Sequence, residues 1–180
     1  MGVPLPEDIR KTLWEYWQQI QRQARLDDYV KPVEPENYHI TLKFIGEVPE
    51  QRAMRIQRAL EKIQIAEPFE ITVRGIGGFP TAASAKVIWA GVQNGFQELV
   101  ALSEHIDTAL SYEGVPRERR AFHPHVTLAR VKRGTADVAS IARVLKPFGT
   151  FKYNGFVLYK STLTPEGPIY ERLREYGVSE

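Results

Sequence analysis

The tetrapeptide His39-Ile40-Thr41-Leu42 occurs a second time, in nearly the same form, as His125-Val126-Thr127-Leu128. One copy lies in each half of a 180-residue chain that has four histidines in all. In a chain with so few histidines, such a repeat indicates that His and Thr are needed together. The two tetrads, called here the first motif (39–42) and the second motif (125–128), therefore organise the reading of the sequence.

The first motif begins a stretch that alternates between polar and apolar residues as far as position 45, where Gly46 follows. This pattern predicts a strand over 39–45. A period of two residues places His39, Thr41 and Lys43 on one face and the aliphatic residues on the other. The aliphatic face would enter the core, and the polar face would border a cleft.

The second motif follows Pro124, which predicts a strand start or an edge position there. Strict alternation puts His125 and Thr127 on one face and aims Arg130 at the opposite one. Arg130 could therefore reach the cleft only if the strand ends or twists before it.

Around the two motifs the sequence predicts alternating helices and strands. Helices are predicted for 6–26, 49–63, 96–110 and 137–145, strands for 29–31, 69–73, 86–92, 153–163 and 169–176, a bend for 75–80 and a turn for 164–168. This order predicts an α+β fold of two half-lobes, each giving one His-x-Thr strand to a shared groove. With no long linker, residues 1–180 are expected to form a single domain.

Composition excludes several classes of protein. The hydrophobic content of 43% and charged content of 26% are ordinary for a soluble domain, and a net charge of +2 does not indicate general coating of nucleic acid. The absence of cysteine excludes disulfides, thiolate catalysis and Cys-ligated zinc, and it fits the reducing cytoplasm that we expect as the location. We expect neither a signal peptide nor a membrane span.

A histidine and a threonine two residues apart on a strand can serve a phosphate group together. The hydroxyl can donate to an anionic oxygen while the imidazole moves a proton. Two such pairs on opposite sides supply a base for the entering oxygen and an acid for the leaving oxygen, both near neutral pH. A strained cyclic phosphodiester would then need only water and these groups, and Lys43 could add positive charge.

The other two histidines are weaker candidates. His105 falls within a predicted helix beside acidic residues and is interpreted as solvated. His123 shares the face of His125, but no third ligand has suitable spacing, so we predict that there is no metal site. The aromatic residues Tyr38, Phe79 and Trp89 are available for stacking on a base, but each is expected to pack in the core.

The sequence resembles the 2H phosphoesterase superfamily. Within it, the likeness is to bacterial and archaeal RNA 2′,3′-cyclic phosphodiesterases, historically called 2′-5′ RNA ligases. The resemblance spans nearly the whole chain and is carried by Pro4-Leu5-Pro6, residues 39–46, Gly78-Phe79-Pro80, Val87-Ile88-Trp89, residues 124–130, and the ending with Leu163, Pro165, Gly167, Pro168 and Tyr170.

The resemblance implies a bilobal fold with two antiparallel sheets and outer helices around a central groove, without a metal or other cofactor. It implies hydrolysis of RNA 2′,3′-cyclic phosphate ends to 2′-phosphates, and in reverse a 2′-5′ ligation. His39 would protonate the leaving 3′ oxygen and His125 would activate water. Thr41 and Thr127 would bind phosphate oxygens, assisted by Arg130. The partners would be RNA ends or nucleotides that carry the cyclic phosphate, and the protein would be a monomer.

One departure from the family pattern concerns the start of the chain. Relatives usually have a short apolar strand before the Pro-Leu-Pro segment, whereas here only Met1-Gly2-Val3 precedes it. This predicts either a truncated start or a first lobe that lacks a strand.

Two alternatives stay open at this point. One is a phosphodiesterase for another small cyclic phosphate, such as an ADP-ribose cyclic phosphate. The other is a non-catalytic module that holds RNA ends. The intact histidines favour catalysis, because arginines would serve binding alone better.

Overall fold

The computed structural model describes residues 1–23, 26, 29–63, 67–143, 145–164 and 168–177. Within them the chain forms four helices: α1 (Glu7–Gln23), α2 (Glu50–Glu61), α3 (Phe96–Ser111) and α4 (Ala139–Ala142). It also forms nine strands: β1 (Gly2–Pro4), β2 (Val30–Pro32), β3 (His39–Thr41), β4 (Glu70–Thr81), β5 (Ser84–Val92), β6 (His125–Val131), β7 (Pro147–Lys152), β8 (Gly155–Leu163) and β9 (Pro168–Gly177). A 3₁₀ turn, Pro35–Asn37, precedes β3.

The strands follow one hydrogen-bonded path in the order β7-β4-β5-β6-β3-β1-β8-β9, and β2 pairs with β6 beside this path. Every pairing between these strands is antiparallel. The predicted mixture of helices with antiparallel strands is thus confirmed, but the predicted separation into two sheets is not. Halfway along the path the strands of the two motifs, β3 and β6, are neighbours.

Helix α1 forms where an apolar stripe follows an acidic first turn. Glu7 and Asp8 complement the helix dipole, and the stripe is buried against the core. The helix ends at Gln23 rather than at the predicted Leu26, which is buried but not helical. The two residues in between, 24 and 25, lie outside the described part of the chain.

The strand of the first motif is shorter than predicted. It ends at Thr41, because the N–H groups of Leu42 and Lys43 both turn to the carbonyl of Met1. Leu42 and Lys43 are consecutive and both buried, so the alternation stops there. The prediction that Lys43 continues the polar face of this strand is therefore wrong.

A strand does form at the start of the chain. Gly2–Pro4 pairs with β3 along its whole length, with Val3 opposite Ile40, and Gly2 also pairs with Val157 of β8. The expectation that the first lobe lacks a strand is thus wrong, because three residues suffice. Gly2 is required by space: a Cβ there would lie 2.5 Å from the carbonyl oxygen of Ile40 and 2.6 Å from Cδ2 of His39.

Two other segments differ from the prediction. Residues 75–80 are not a bend but part of β4. The pairing of β4 with β5 is irregular between Arg74 and Ile76, where Gly75 lies. The helix predicted over 137–145 shrinks to Ala139–Ala142, and Pro147 begins the unpredicted β7. The turn predicted over 164–168 falls mainly on residues 165–167, which lie outside the described ranges.

The core lies on the aliphatic side of the two motifs. Ile40 and Val126 are fully buried within it, together with Leu13, Trp17 and Ile106 from the helices. Over the described residues, no helix combines the length and apolarity that crossing a bilayer would need. The opposite side of β3 and β6 is left to polar groups.

Candidate active site

The pairing of β3 with β6 brings the two motifs together. Ile40 lies directly opposite Val126 in this antiparallel ladder, and both side chains are 0% exposed. Since neighbouring residues of a strand point to opposite faces, the His and Thr side chains of both motifs share the other face. The sequence prediction of one buried and one polar face is confirmed for each motif.

The register also sets which polar residues are neighbours. One step from the Ile40–Val126 pair in either direction brings His39 beside Thr127 and Thr41 beside His125. Directly opposed residues of an antiparallel pair have Cβ atoms about 4.5–5.5 Å apart. Two imidazoles and two hydroxyls thus line one small patch.

Each imidazole is oriented by the carbonyl two residues before it. Nδ1 of His39 donates to the carbonyl of Asn37 at 2.8 Å, and Nδ1 of His125 donates to that of His123 at 2.6 Å. A carbonyl only accepts, so the proton of the neutral ring lies on Nδ1, and the lone pair of Nε2 can accept a hydrogen bond. On His39 this Nε2 accepts from the hydroxyl of Thr41 at 3.0 Å.

Burial lowers the pKa of both motif histidines. For His39 the loss of hydration is the largest cause, the Asn37 carbonyl opposes it, and the charge of His125 adds to it. For His125, burial again comes first, the His123 carbonyl opposes it, and the charges of His123 and Arg130 lower the pKa further. A lowered pKa keeps each ring neutral to a more acidic pH than an ordinary histidine, and a neutral ring can accept a proton at Nε2.

A β-bulge brings Arg130 to the polar face. Ala129 pairs with Ile88 while Thr127 pairs with Trp89, so Leu128 is an extra residue in β6. Leu128 and Ala129 are both buried, and Arg130 is exposed on the side of His125 and Thr127. Strict alternation had aimed Arg130 the other way, and no sequence signal marked the bulge.

Lys43 does not lie on the polar face of the two motifs. Its Nζ donates to Oδ1 of Asp107 at 2.5 Å and to the carbonyl of Pro116 at 2.7 Å, and its side chain is 1% exposed. Asp107 also accepts the backbone N–H of Glu118. Lys43 thus ties the end of the first motif to α3 and to the loop that leads toward the second motif.

Aromatic rings surround each histidine, and they differ between the two. His39 contacts Tyr159 and Tyr170, with ring centroids 5.4 and 5.1 Å away. His125 contacts Phe79 and Trp89 at 5.1 and 6.0 Å. The sequence did not predict the two tyrosines as site residues, because only the strand order places β8 and β9 beside the first motif.

The two remaining histidines have different surroundings. His105 is exposed on α3, as predicted. His123 is also exposed, but its ring contacts Trp89 at 5.1 Å and Phe96 at 5.5 Å, so it belongs to the aromatic surroundings of His125. Among the residues that the structure describes, no three of His, Cys, Asp and Glu come together in a group that could hold a metal ion.

Comparisons with known proteins identify the family of the chain. The profile of the 2′-5′ RNA ligase superfamily matches residues 9–164. A protein of Archaeoglobus fulgidus named RNA 2′,3′-cyclic phosphodiesterase is 42% identical over 149 residues, covering 82% of this chain and 83% of its own. A protein of the same name from Aeropyrum pernix is 39% identical, covering 86% and 93%.

Solved structures show the same fold. A crystal structure of a Thermus thermophilus protein superposes with a TM-score of 0.79 at 30% identity, covering 98% of this chain and 94% of the other. E. coli LigT complexed with 3′-AMP gives a TM-score of 0.79 at 23% identity, covering 99% and 96%. Nearly the whole chain thus lies within a known architecture.

Proposed function

The chain belongs to the 2′-5′ RNA ligase superfamily, and on that premise we propose that it hydrolyses 2′,3′-cyclic phosphate ends of RNA to 2′-phosphates. The observation that carries the proposal is the antiparallel pair of His-x-Thr strands, which brings two imidazoles and two hydroxyls to one patch. The names of the curated relatives support the same reaction. We infer that residues 1–180 act as one domain, with the site where β3 pairs with β6.

In the proposed reaction, Nε2 of His125 takes a proton from water, and the water oxygen forms a bond to phosphorus. The bond from phosphorus to the 3′ oxygen breaks, and protonated His39 gives its Nε2 proton to that oxygen. One water is consumed, and the 2′-phosphate remains. Both proton transfers use atoms that face the patch, because each Nδ1 is engaged by a carbonyl.

Thr41, Thr127 and Arg130 hold the phosphate in this proposal. The hydroxyls donate to the non-bridging oxygens, and the guanidinium balances the charge that develops on them. Lys43 stays outside this set, because Asp107 and the carbonyl of Pro116 already engage its ammonium. With a 5′ hydroxyl in place of water, the same groups would make a 2′-5′ link: the 5′ oxygen bonds to phosphorus and gives its proton to His125, while the bond to the 3′ oxygen breaks and His39 protonates that oxygen.

Product analysis tests the proposal directly. An oligonucleotide with a 2′,3′-cyclic phosphate end should be converted to a 2′-phosphate at the same rate with and without EDTA. A control oligonucleotide with a linear 3′-phosphate should be unchanged. Formation of a 3′-phosphate, or RNA binding without turnover, would contradict the proposal, and faster opening of a small non-RNA cyclic phosphate would favour the alternative substrate.

The pH dependence of kcat/KM should be bell-shaped, with its maximum below pH 6.5. That parameter reports the free enzyme, in which burial lowers the pKa of both histidines. A lowered pKa keeps the base neutral to a more acidic pH, and it makes the acid lose its proton earlier as pH rises. The bound phosphate anion favours imidazolium, so the limbs of kcat should lie at higher pH than those of kcat/KM. Coincident profiles with a maximum above pH 8 would contradict this prediction.

A further inference from the structure

Asn37 makes hydrogen bonds both to His39 of the first motif and to the start of β9. It ends the 3₁₀ turn before β3, and its backbone carbonyl accepts the Nδ1–H of His39 at 2.8 Å. Its side-chain Nδ2 donates to the carbonyl of Pro168, the first residue of β9, at 3.2 Å. Asn37 therefore connects the orientation of His39 to the hairpin of β8 and β9.

The same hairpin carries the two rings that pack on His39. Tyr159 belongs to β8 and Tyr170 to β9, and their own centroids are 5.8 Å apart. The imidazole is thus held by a carbonyl at Nδ1, a hydroxyl at Nε2 and a ring on each of two strands. A shift of the turn relative to the hairpin would misalign the carbonyl and the rings together.

We infer that Asn37 is a positioning residue, whose side-chain bond to Pro168 fixes the carbonyl that keeps the His39 proton on Nδ1. The amide is suited to this because Nδ2 can only donate, and a carbonyl can only accept. Asn37 touches neither the reacting atoms nor a bound phosphate; it acts through His39. The kinetic part of this inference rests on the proposed function, whereas the tautomer of His39 does not.

The test compares Asn37→Ala with the unaltered protein and with Asn154→Ala, which replaces an exposed asparagine of the connection between β7 and β8. Nitrogen-15 NMR of the imidazoles should show His39 as a single Nδ1–H tautomer in the unaltered protein and in Asn154→Ala. In Asn37→Ala it should show a mixture of both tautomers. The signal of His39 is assigned by its loss in His39→Ala.

Kinetics supply the second readout. Asn37→Ala should lower kcat by about 10- to 100-fold, the range known for residues that orient a functional imidazole, while KM changes by less than about threefold. Asn37→Asp keeps the shape but loses the donor, so it should also show the tautomer mixture. Thermal unfolding should leave both variants folded at the assay temperature.

The inference is overturned if Asn37→Ala keeps one His39 tautomer, whatever its rate. It is also overturned if kcat and KM equal those of Asn154→Ala, since a mere surface contact would behave in that way. Should the unaltered protein fail to open cyclic phosphates, the proposed function falls, and the NMR comparison still decides the role of Asn37.

Discussion

Alanine at either His39 or His125 is expected to lower kcat/KM for cyclic phosphate opening by about 100- to 10,000-fold, the usual contribution of a positioned acid or base. In the proposed reaction each histidine serves one of the two oxygens that exchange at phosphorus. Because the pair acts as a unit, the double variant should lose little more than either single one. Steady-state rates on a cyclic-phosphate oligonucleotide measure all three.

His105→Ala is the matched control, since that histidine is exposed on α3. It should retain the full rate, and all variants should unfold at similar temperatures, because neither motif imidazole is part of the fully buried core. Full activity in either motif variant would rule out the acid/base pair.

The second large effect concerns stability. Lys43→Met should lower the free energy of unfolding by about 3–5 kcal/mol, the cost of breaking a buried ion pair from one side. The lysine side chain is 1% exposed and that of Asp107 is 15% exposed. After the substitution Asp107 keeps Arg117 as a partner, with Nε 3.6 Å from Oδ2, but the arginine side chain is 61% exposed and such a pair stabilises little, so the carboxylate is left largely uncompensated. Urea unfolding at neutral pH measures the change, and Lys11→Met on the exposed side of α1 should stay within about 0.5 kcal/mol.

This variant also separates two roles for Lys43. If Lys43 bound the phosphate of the substrate, its replacement would raise KM and leave the free energy of unfolding unchanged. If Lys43 is structural, its replacement should lower the free energy of unfolding and leave KM nearly unchanged. An unfolding free energy equal to that of Lys11→Met would refute the structural role.

The free energy of unfolding at acidic pH gives an independent check on the ion pair of Lys43 and Asp107. Partial burial acts to raise the pKa of Asp107, but the hydrogen bonds from Lys43 and from the N–H of Glu118 outweigh it and hold the pKa below its ordinary value. A lowered carboxyl pKa contributes stability that is present above the unfolded pKa of about 3.9 and is lost as pH falls through the folded pKa. Lys43→Met should flatten this part of the pH dependence.

Local alternation was enough to predict the two faces of each motif. Ile40 and Val126 are buried and the histidines face the patch, because a period of two is a property of any strand. Alternation failed where the backbone departs from a regular strand. Leu128 is an extra residue in β6, and Lys43 follows a strand that ends at Thr41. Both departures depend on partner strands that no local pattern reveals.

Other parts of the site depend on contacts between residues distant in sequence. Tyr159 and Tyr170 reach His39 only because β1 lies between β3 and β8. That strand is three residues long and ends in proline, so neither periodicity nor propensity indicates it. The bond from Asn37 to Pro168 spans most of the chain and likewise has no sequence signature.

The register that sets Ile40 opposite Val126 gives the centre of the site an approximate half-turn symmetry. Rotation about that axis exchanges the two histidines and the two threonines. A pentacoordinate phosphorus with entering and leaving oxygens in line has the same symmetry, which exchanges those two oxygens, so the four central side chains alone do not determine which histidine acts as the acid. The surroundings break the symmetry, with Tyr159 and Tyr170 on one side and Phe79, Trp89 and Arg130 on the other. In the proposed reaction these flanks would orient the cyclic phosphate, and changes there would alter which ester oxygen departs while both histidines stay in place.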